Sequence, residues 1–182
     1  LSKYFSMFKA TDFKDSWEDF YARKAWAYYQ DQLPTTHPVA THAEDTDVAF
    51  SNFDGISYAK GASVIKQLMF YIGEENFKNG TRNYFKKYAW KNTELRDFLN
   101  CLEEACGKNL NEWFDSWIKT TGVNSVNLEF EFSGGKIENF AIVQHPSGKN
   151  NILKTHKTKI AFFCEENSEA RPELVKEIFY EG

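Results

Sequence analysis

Near residue 123 the hydrophobic repeat of this chain changes period once, and that change limits its fold more than any other feature. Upstream, apolar residues recur every three to four positions: Tyr4, Phe5 and Phe8, then Trp17, Phe20, Tyr21 and Tyr28, then Tyr58, Ala62, Ile65, Met69 and Ile72. Downstream, Val126, Leu128, Phe130 and Phe132 alternate strictly with Asn127, Glu129 and Glu131. The first spacing lines one face of a helix and the second lines one face of a strand. A single switch excludes an all-helical bundle, an all-β sandwich and an alternating βαβ array. The expected class is α+β, with a helical portion over residues 1–121 and a β portion over 122–182.

Within the helical portion the pattern predicts two helices over residues 1–33, joined near Thr11 and capped at Asp12 or Ser16. Pro34 to Asp54 is rich in Thr, His, Asp and Asn, has no period, and reads as a long ordered loop of the kind that often carries function. A helix apolar on most sides runs from Gly55 to Tyr71, with Gly73 as its terminator. Another helix carries Phe77, Tyr84, Phe85 and Tyr88. The next is expected to be capped by Thr93 and to present Leu95, Phe98, Leu99 and Leu102. Trp113, Phe114 and Trp117 mark the last. Beyond it, Ser133-Gly134-Gly135 turns a hairpin, and further strands fit Lys154–Cys164 and Leu174–Tyr180. So few strands are marginal alone, so the β portion is expected to lean on the helices or on further chain.

Composition narrows the function classes. The chain has 182 residues, enough for one ordinary domain or one plus a fragment, and 42% of them are hydrophobic. The net charge is −4 with no basic stripe, so nucleic acid is not an expected partner. Three cysteines without a C-x-x-C pair fit neither a disulfide framework nor a thiolate metal knuckle. No apolar run approaches the roughly 20 residues of a membrane helix. Leu1-Ser-Lys-Tyr4 is neither an initiator start nor a signal peptide, so the chain reads as an excerpt with a cytoplasmic setting.

The chemistry-bearing motifs are few. His37 and His42 stand near Glu44 and Asp47, a candidate metal set whose members also suit a polar loop. There is no H-E-x-x-H helix, no G-x-S-x-G elbow and no phosphate-binding glycine loop. The segment Asp54-Gly-Ile-Ser-Tyr58-Ala-Lys60-Gly61-Ala62 joins the polar loop to the most buried helix. It offers a phenol, an ammonium and a glycine that permits close approach. Tyr58 there fits either a core aromatic or a functional hydroxyl.

The run FDGISYAKGASVIKQLM, Phe53 to Met69, resembles the signature that follows the zinc site in aminopeptidase N-type gluzincin metallopeptidases. Phe53, Asp54, Ile56, Tyr58, Lys60, Gly61 and Leu68 stand at the matching places. Thr36-His37-Pro38-Val39 precedes it, and Gly73 with Phe77, the Tyr84/Tyr88 helix, Asn92-Thr93, Asp97-Phe98-Leu99, and Trp117 with Gly122 follow in the family's order.

The resemblance implies the helical C-terminal subdomain of a thermolysin-like catalytic domain over 1–121, followed by the beginning of a β-sandwich over 122–182. It implies that Tyr58 is the family's transition-state tyrosine and that the cofactor is zinc. Phe53 fits either a wall of the pocket for the substrate's N-terminal side chain or plain packing, and Lys60 an exposed or salt-bridged lysine following the Tyr. The family's zinc ligands, its general-base Glu and its Gly-Ala-Met-Glu-Asn segment are absent from these residues, so the ligands are expected upstream. The implied parent is a zinc aminopeptidase acting on peptides, with this chain inactive without its remainder. The alternative is a noncatalytic scaffold or interaction relative of the same fold.

Overall fold

In the computed structural model, which describes residues 1–146, 152–166 and 169–180, seven α-helices are followed by four strands. Residues 147–151, 167–168 and 181–182 of the expected β portion lie outside the described residues. The helices are α1 (Ser2–Ala10), α2 (Ser16–Gln30), α3 (Thr46–Ser51), α4 (Gly61–Ile72), α5 (Glu74–Lys87), α6 (Leu95–Cys106) and α7 (Asn111–Ile118). A single π-helical turn, Ile56–Lys60, leads into α4.

The helical core forms where the apolar stripes of α4, α6 and α7 meet: Val64, Leu68 and Ile72 against Leu99 and Leu102, closed by Leu110, Trp113, Phe114 and Ile118. Each is at least nine-tenths buried, and burying one such side chain is worth about 1.5–3 kcal/mol. α5 packs on α6 at Gly80. A Cβ there would lie 2.8 Å from the Cys101 carbonyl oxygen and 2.8 Å from Leu102 Cδ2, so glycine sets how near the two helices come.

Several local expectations need correction, among them the start of α2, whose N-cap is Asp15 and not Asp12 or Ser16. Thr93 does not cap α6: the N-cap is Glu94, which exchanges side-chain and backbone hydrogen bonds with Asp97. Thr93 Oγ1 is instead 2.5 Å from the Tyr84 hydroxyl. The Pro34–Asp54 loop contains α3, whose start is held by Asp45 Oδ1 accepting from Val48 N at 2.8 Å. Six residues are too few for a 3.6-residue period to register. The helix expected from Gly55 opens with the π turn, because the Asp54 side chain holds the backbone N–H groups of both Ile56 and Ser57.

The strands form two antiparallel hairpins, β1 (Asn124–Ser133) with β2 (Lys136–Pro146) and β3 (His156–Glu166) with β4 (Glu169–Tyr180). Gly134 and Gly135 both have positive φ, 57° and 79°, the geometry of a tight two-residue hairpin turn. β4 begins five residues before its expected start at Leu174. Pro172 had obscured it, since proline donates no ladder bond, and it sits where the register shifts between Phe162 and Phe163. The second hairpin and the segment before it lean on the helices. Trp117 Nε1 donates to the Thr155 carbonyl at 3.0 Å, Lys157 Nζ donates to the Phe70 carbonyl at 3.3 Å, and Phe179 meets Tyr71 edge-on at 5.7 Å. Val126, Leu128, Phe130 and Phe132 of β1 remain exposed.

Candidate functional site

The segment from His37 to Lys60 is built around Asp54. Its Oδ1 accepts from Ile56 N at 2.9 Å and Ser57 N at 3.0 Å, and its Oδ2 accepts from His37 Nε2 at 3.0 Å. The carboxylate therefore tethers the loop to the first amides of the π turn, where unpaired N–H groups favour negative charge. Gly55 allows the same turn to press against α2. A Cβ at that position would lie 2.8 Å from Gln30 Cγ and 3.0 Å from the Trp26 ring. The close approach belongs to Gly55 and not to Gly61, whose Cβ would make an ordinary 3.6 Å contact with Val39.

Two functional groups leave this turn in opposite senses. Tyr58 stays at the surface, 59% exposed, with its ring 5.7 Å from that of Phe53. Phe53 in turn lies 6.0 Å from Phe50, and all three rings are open to solvent. A phenol sealed in the core would have been useless as a donor to a ligand; this one is accessible. Lys60 points inward and is 6% exposed. Its ammonium donates to both oxygens of Asp31, at 2.8 and 3.0 Å, and to the Thr120 carbonyl at 2.9 Å. Of the two settings expected for Lys60 the paired one is found, but it is buried.

Asp31 is the residue that sequence reasoning missed. It stands at the C-cap of α2, where an acid opposes the helix dipole, and that misplacement is the signal that could have exposed it. Besides Lys60, its Oδ1 accepts from Thr36 Oγ1 at 2.8 Å and from Gly122 N at 3.0 Å. One carboxylate thus links α2, the Thr36–Pro38 loop, the turn carrying Tyr58 and the chain entering β1.

The candidate metal set does not assemble. His37 is engaged with Asp54 and the Pro38 carbonyl, while His42, Glu44 and Asp47 are exposed. Among the described residues no group of three or more His, Cys, Asp or Glu side chains is placed to hold a metal ion. No described helix is long and apolar enough to cross a membrane.

A cavity of about 690 Å³ lies on the inner side of Lys60, between α2, α4, α7 and the β3–β4 hairpin. Tyr58 does not line it. Lys154, 3% exposed, donates from Nζ to the Gly122 carbonyl at 3.1 Å, and burial together with the nearby Lys60 charge lowers its pKa to about 8. Burial and the Lys154 charge lower the pKa of His156 to about 4.

Comparison with known proteins gives a consistent result. The model of the Peptidase family M1 domain matches residues 2–117. Aminopeptidase N of Streptomyces lividans is 45% identical over 156 residues, 81% of this chain and 18% of that protein. Probable aminopeptidase 2 of Sulfurisphaera tokodaii is 31% identical over 163 residues, 86% of this chain and 21% of that protein. Tricorn protease-interacting factor F2 of Thermoplasma volcanium is 34% identical over 123 residues, 65% of this chain and 16% of that protein. The chain spans only about a fifth of the length of these curated relatives.

Proposed function

Because the chain belongs to peptidase family M1, we propose that it is part of a zinc aminopeptidase that removes N-terminal residues from peptides. In this reading residues 1–121 are the helical part of the catalytic domain and 122–182 the beginning of a β-sandwich. The chain supplies the transition-state donor, Tyr58, and one wall of the substrate cleft. In the same reading the zinc ligands belong to other parts of the parent protein. Zinc, where bound, supplies Lewis-acid chemistry.

The role of Tyr58 follows from where charge develops. As water attacks a peptide carbonyl, the carbonyl oxygen becomes anionic, and a phenol aimed at that oxygen stabilises the tetrahedral state more than the ground state. Such a donor must be reachable and must not swing. Tyr58 is exposed, and its backbone N–H donates to the Asp54 carbonyl at 3.2 Å, within the turn that Asp54 and His37 hold. That accessible hydroxyl on a braced turn is the observation that carries the reading. Phe53, whose ring lies tilted beside it, fits the side of a pocket for the substrate's first residue.

The test is Tyr58→Phe in the intact protein, assayed on an aminoacyl p-nitroanilide. Loss of one oxyanion donor predicts a fall in kcat of about a hundred- to a thousandfold, about 2.7–4 kcal/mol, with KM little changed. Unchanged kcat would remove Tyr58 from the mechanism.

A further inference from the structure

The ring of His37 is held between two groups that only accept. Its Nδ1 lies 2.8 Å from the Pro38 carbonyl oxygen and its Nε2 lies 3.0 Å from Asp54 Oδ2. A carbonyl oxygen has no proton to give, and the Asp54 carboxylate already accepts from the Ile56 and Ser57 amides, bonds that favour its ionised form. A neutral imidazole carries one N–H and can serve only one of these partners. Both bonds together require the imidazolium, so His37 and Asp54 form an ion pair. Their side chains are 19% and 28% exposed, which screens the pair less than one in open solvent. Among the described residues no lysine or arginine lies within ion-pair distance of Asp54, and Asp31 and Lys60, which reach the same loop and turn, are engaged with each other.

The pair grips the turn that carries Tyr58. Asp54 Oδ1 fixes the amides of Ile56 and Ser57, the Asp54 carbonyl oxygen accepts from Tyr58 N at 3.2 Å, and Oδ2 accepts from His37. His37 is itself well anchored. The proline after it confines its backbone to extended conformations. On one side of it Thr36 Oγ1 donates to Asp31 at 2.8 Å, and on the other Ala40 N donates to the Ile118 carbonyl at 3.0 Å. Tyr58 has no comparable tether, because its hydroxyl has no hydrogen-bond partner among the described residues and its ring contact is with the exposed Phe53. The direction of that hydroxyl therefore comes from the backbone of a single π turn, a form that occurs frequently at functional sites.

We propose that His37, as the imidazolium, is a positioning residue for the peptide hydrolysis: its ion pair with Asp54 sets the aim of the Tyr58 hydroxyl. This rests on the reading of Tyr58 as the oxyanion donor. His37 touches no reacting atom and acts only through the turn.

The experiment is a double-mutant cycle in the intact protein, with kcat and KM measured on an aminoacyl p-nitroanilide. His37→Gln, which keeps a donor but not the charge, should lower kcat about tenfold or more with KM little changed, because a misaimed donor loses its hold on the transition state. In a Tyr58→Phe background the same substitution should cost less than about twofold, since there is no hydroxyl left to aim. His37→Arg, which keeps the charge and several donors, should lose clearly less than His37→Gln. Space-filling alone would not favour the larger arginine. Equal loss from His37→Gln with and without the Tyr58 hydroxyl overturns the proposal, as does unchanged kcat in His37→Gln or a loss in His37→Arg as large as in His37→Gln. Those outcomes leave Tyr58 in place, whereas unchanged kcat in Tyr58→Phe alone removes the oxyanion reading and this proposal with it. Should His37→Gln fail to fold, Asp54→Asn, which keeps an acceptor oxygen for the Ile56 and Ser57 amides, is read in the same cycle with the same expectations.

Discussion

Asp31 and Lys60 show how much one buried pair can organise. Both are more than nine-tenths buried, and between them they tie the end of α2, the Tyr58 turn, the Thr120 carbonyl and the Gly122 amide. A buried pair is weak support for net stability, but removing one member strands the other charge. Asp31→Ala is therefore expected to cost about 3–5 kcal/mol in urea unfolding. Lys60→Met, which leaves Asp31 with two uncharged donors, should cost less. His156 gives a second residue-level prediction. Its ring is stacked on Tyr180 at 4.9 Å and edge-on to Trp117 at 4.9 Å, and Lys154 repels a proton from it. With a folded pKa of about 4 against an ordinary 6.5, the unfolded chain binds more protons between those values. The stability contributed is complete above pH 6.5 and is lost as pH falls toward 4. Thermal unfolding across that window should steepen with acidification in the parent and flatten in His156→Gln. An equal slope in both would refute the assignment.

At the scale of elements, spacing was the dependable guide and capping was not. The stripe Leu95, Phe98, Leu99, Leu102 located α6 correctly because periodicity over three turns averages out local accidents. The cap failed because Thr93 and Glu94 are both plausible, and the choice turned on Tyr84, nine residues away, which engages the Thr93 hydroxyl. Gly80 was unremarkable as sequence, an isolated glycine in a polar helix. Its meaning is entirely tertiary, since the space for its Cβ is taken by α6. Alanine would gain about 1 kcal/mol of helix propensity there, but the obstructing atoms include the Cys101 carbonyl and cannot swing aside. Gly80→Ala should therefore lose about 1–2 kcal/mol net by denaturant titration, overpacking outweighing propensity. A stabilised variant would show that α5 and α6 can separate freely.

At the scale of the whole molecule, α4, α6 and α7 share one core while the strands do not share a second one with them. The β3–β4 hairpin is anchored through Trp117, Tyr71 and Lys157, whereas the apolar side chains of β1 stay exposed. The α+β class, the order of the elements, the hairpin turn at Gly134-Gly135 and the family resemblance at Phe53–Met69 were all decided by the sequence alone, because each depends on residues within a few turns or a few strand positions of one another. Only the tertiary structure decided that Lys60 is buried against Asp31, that Tyr58 faces outward from the same turn, and that Lys154 and His156 line one cavity with Lys60. Asp31 and Lys60 are 29 positions apart, and Lys60 and His156, on the same cavity, are 96 apart. Local pattern carries no information over such separations, because what fixes them is which surfaces exclude water together.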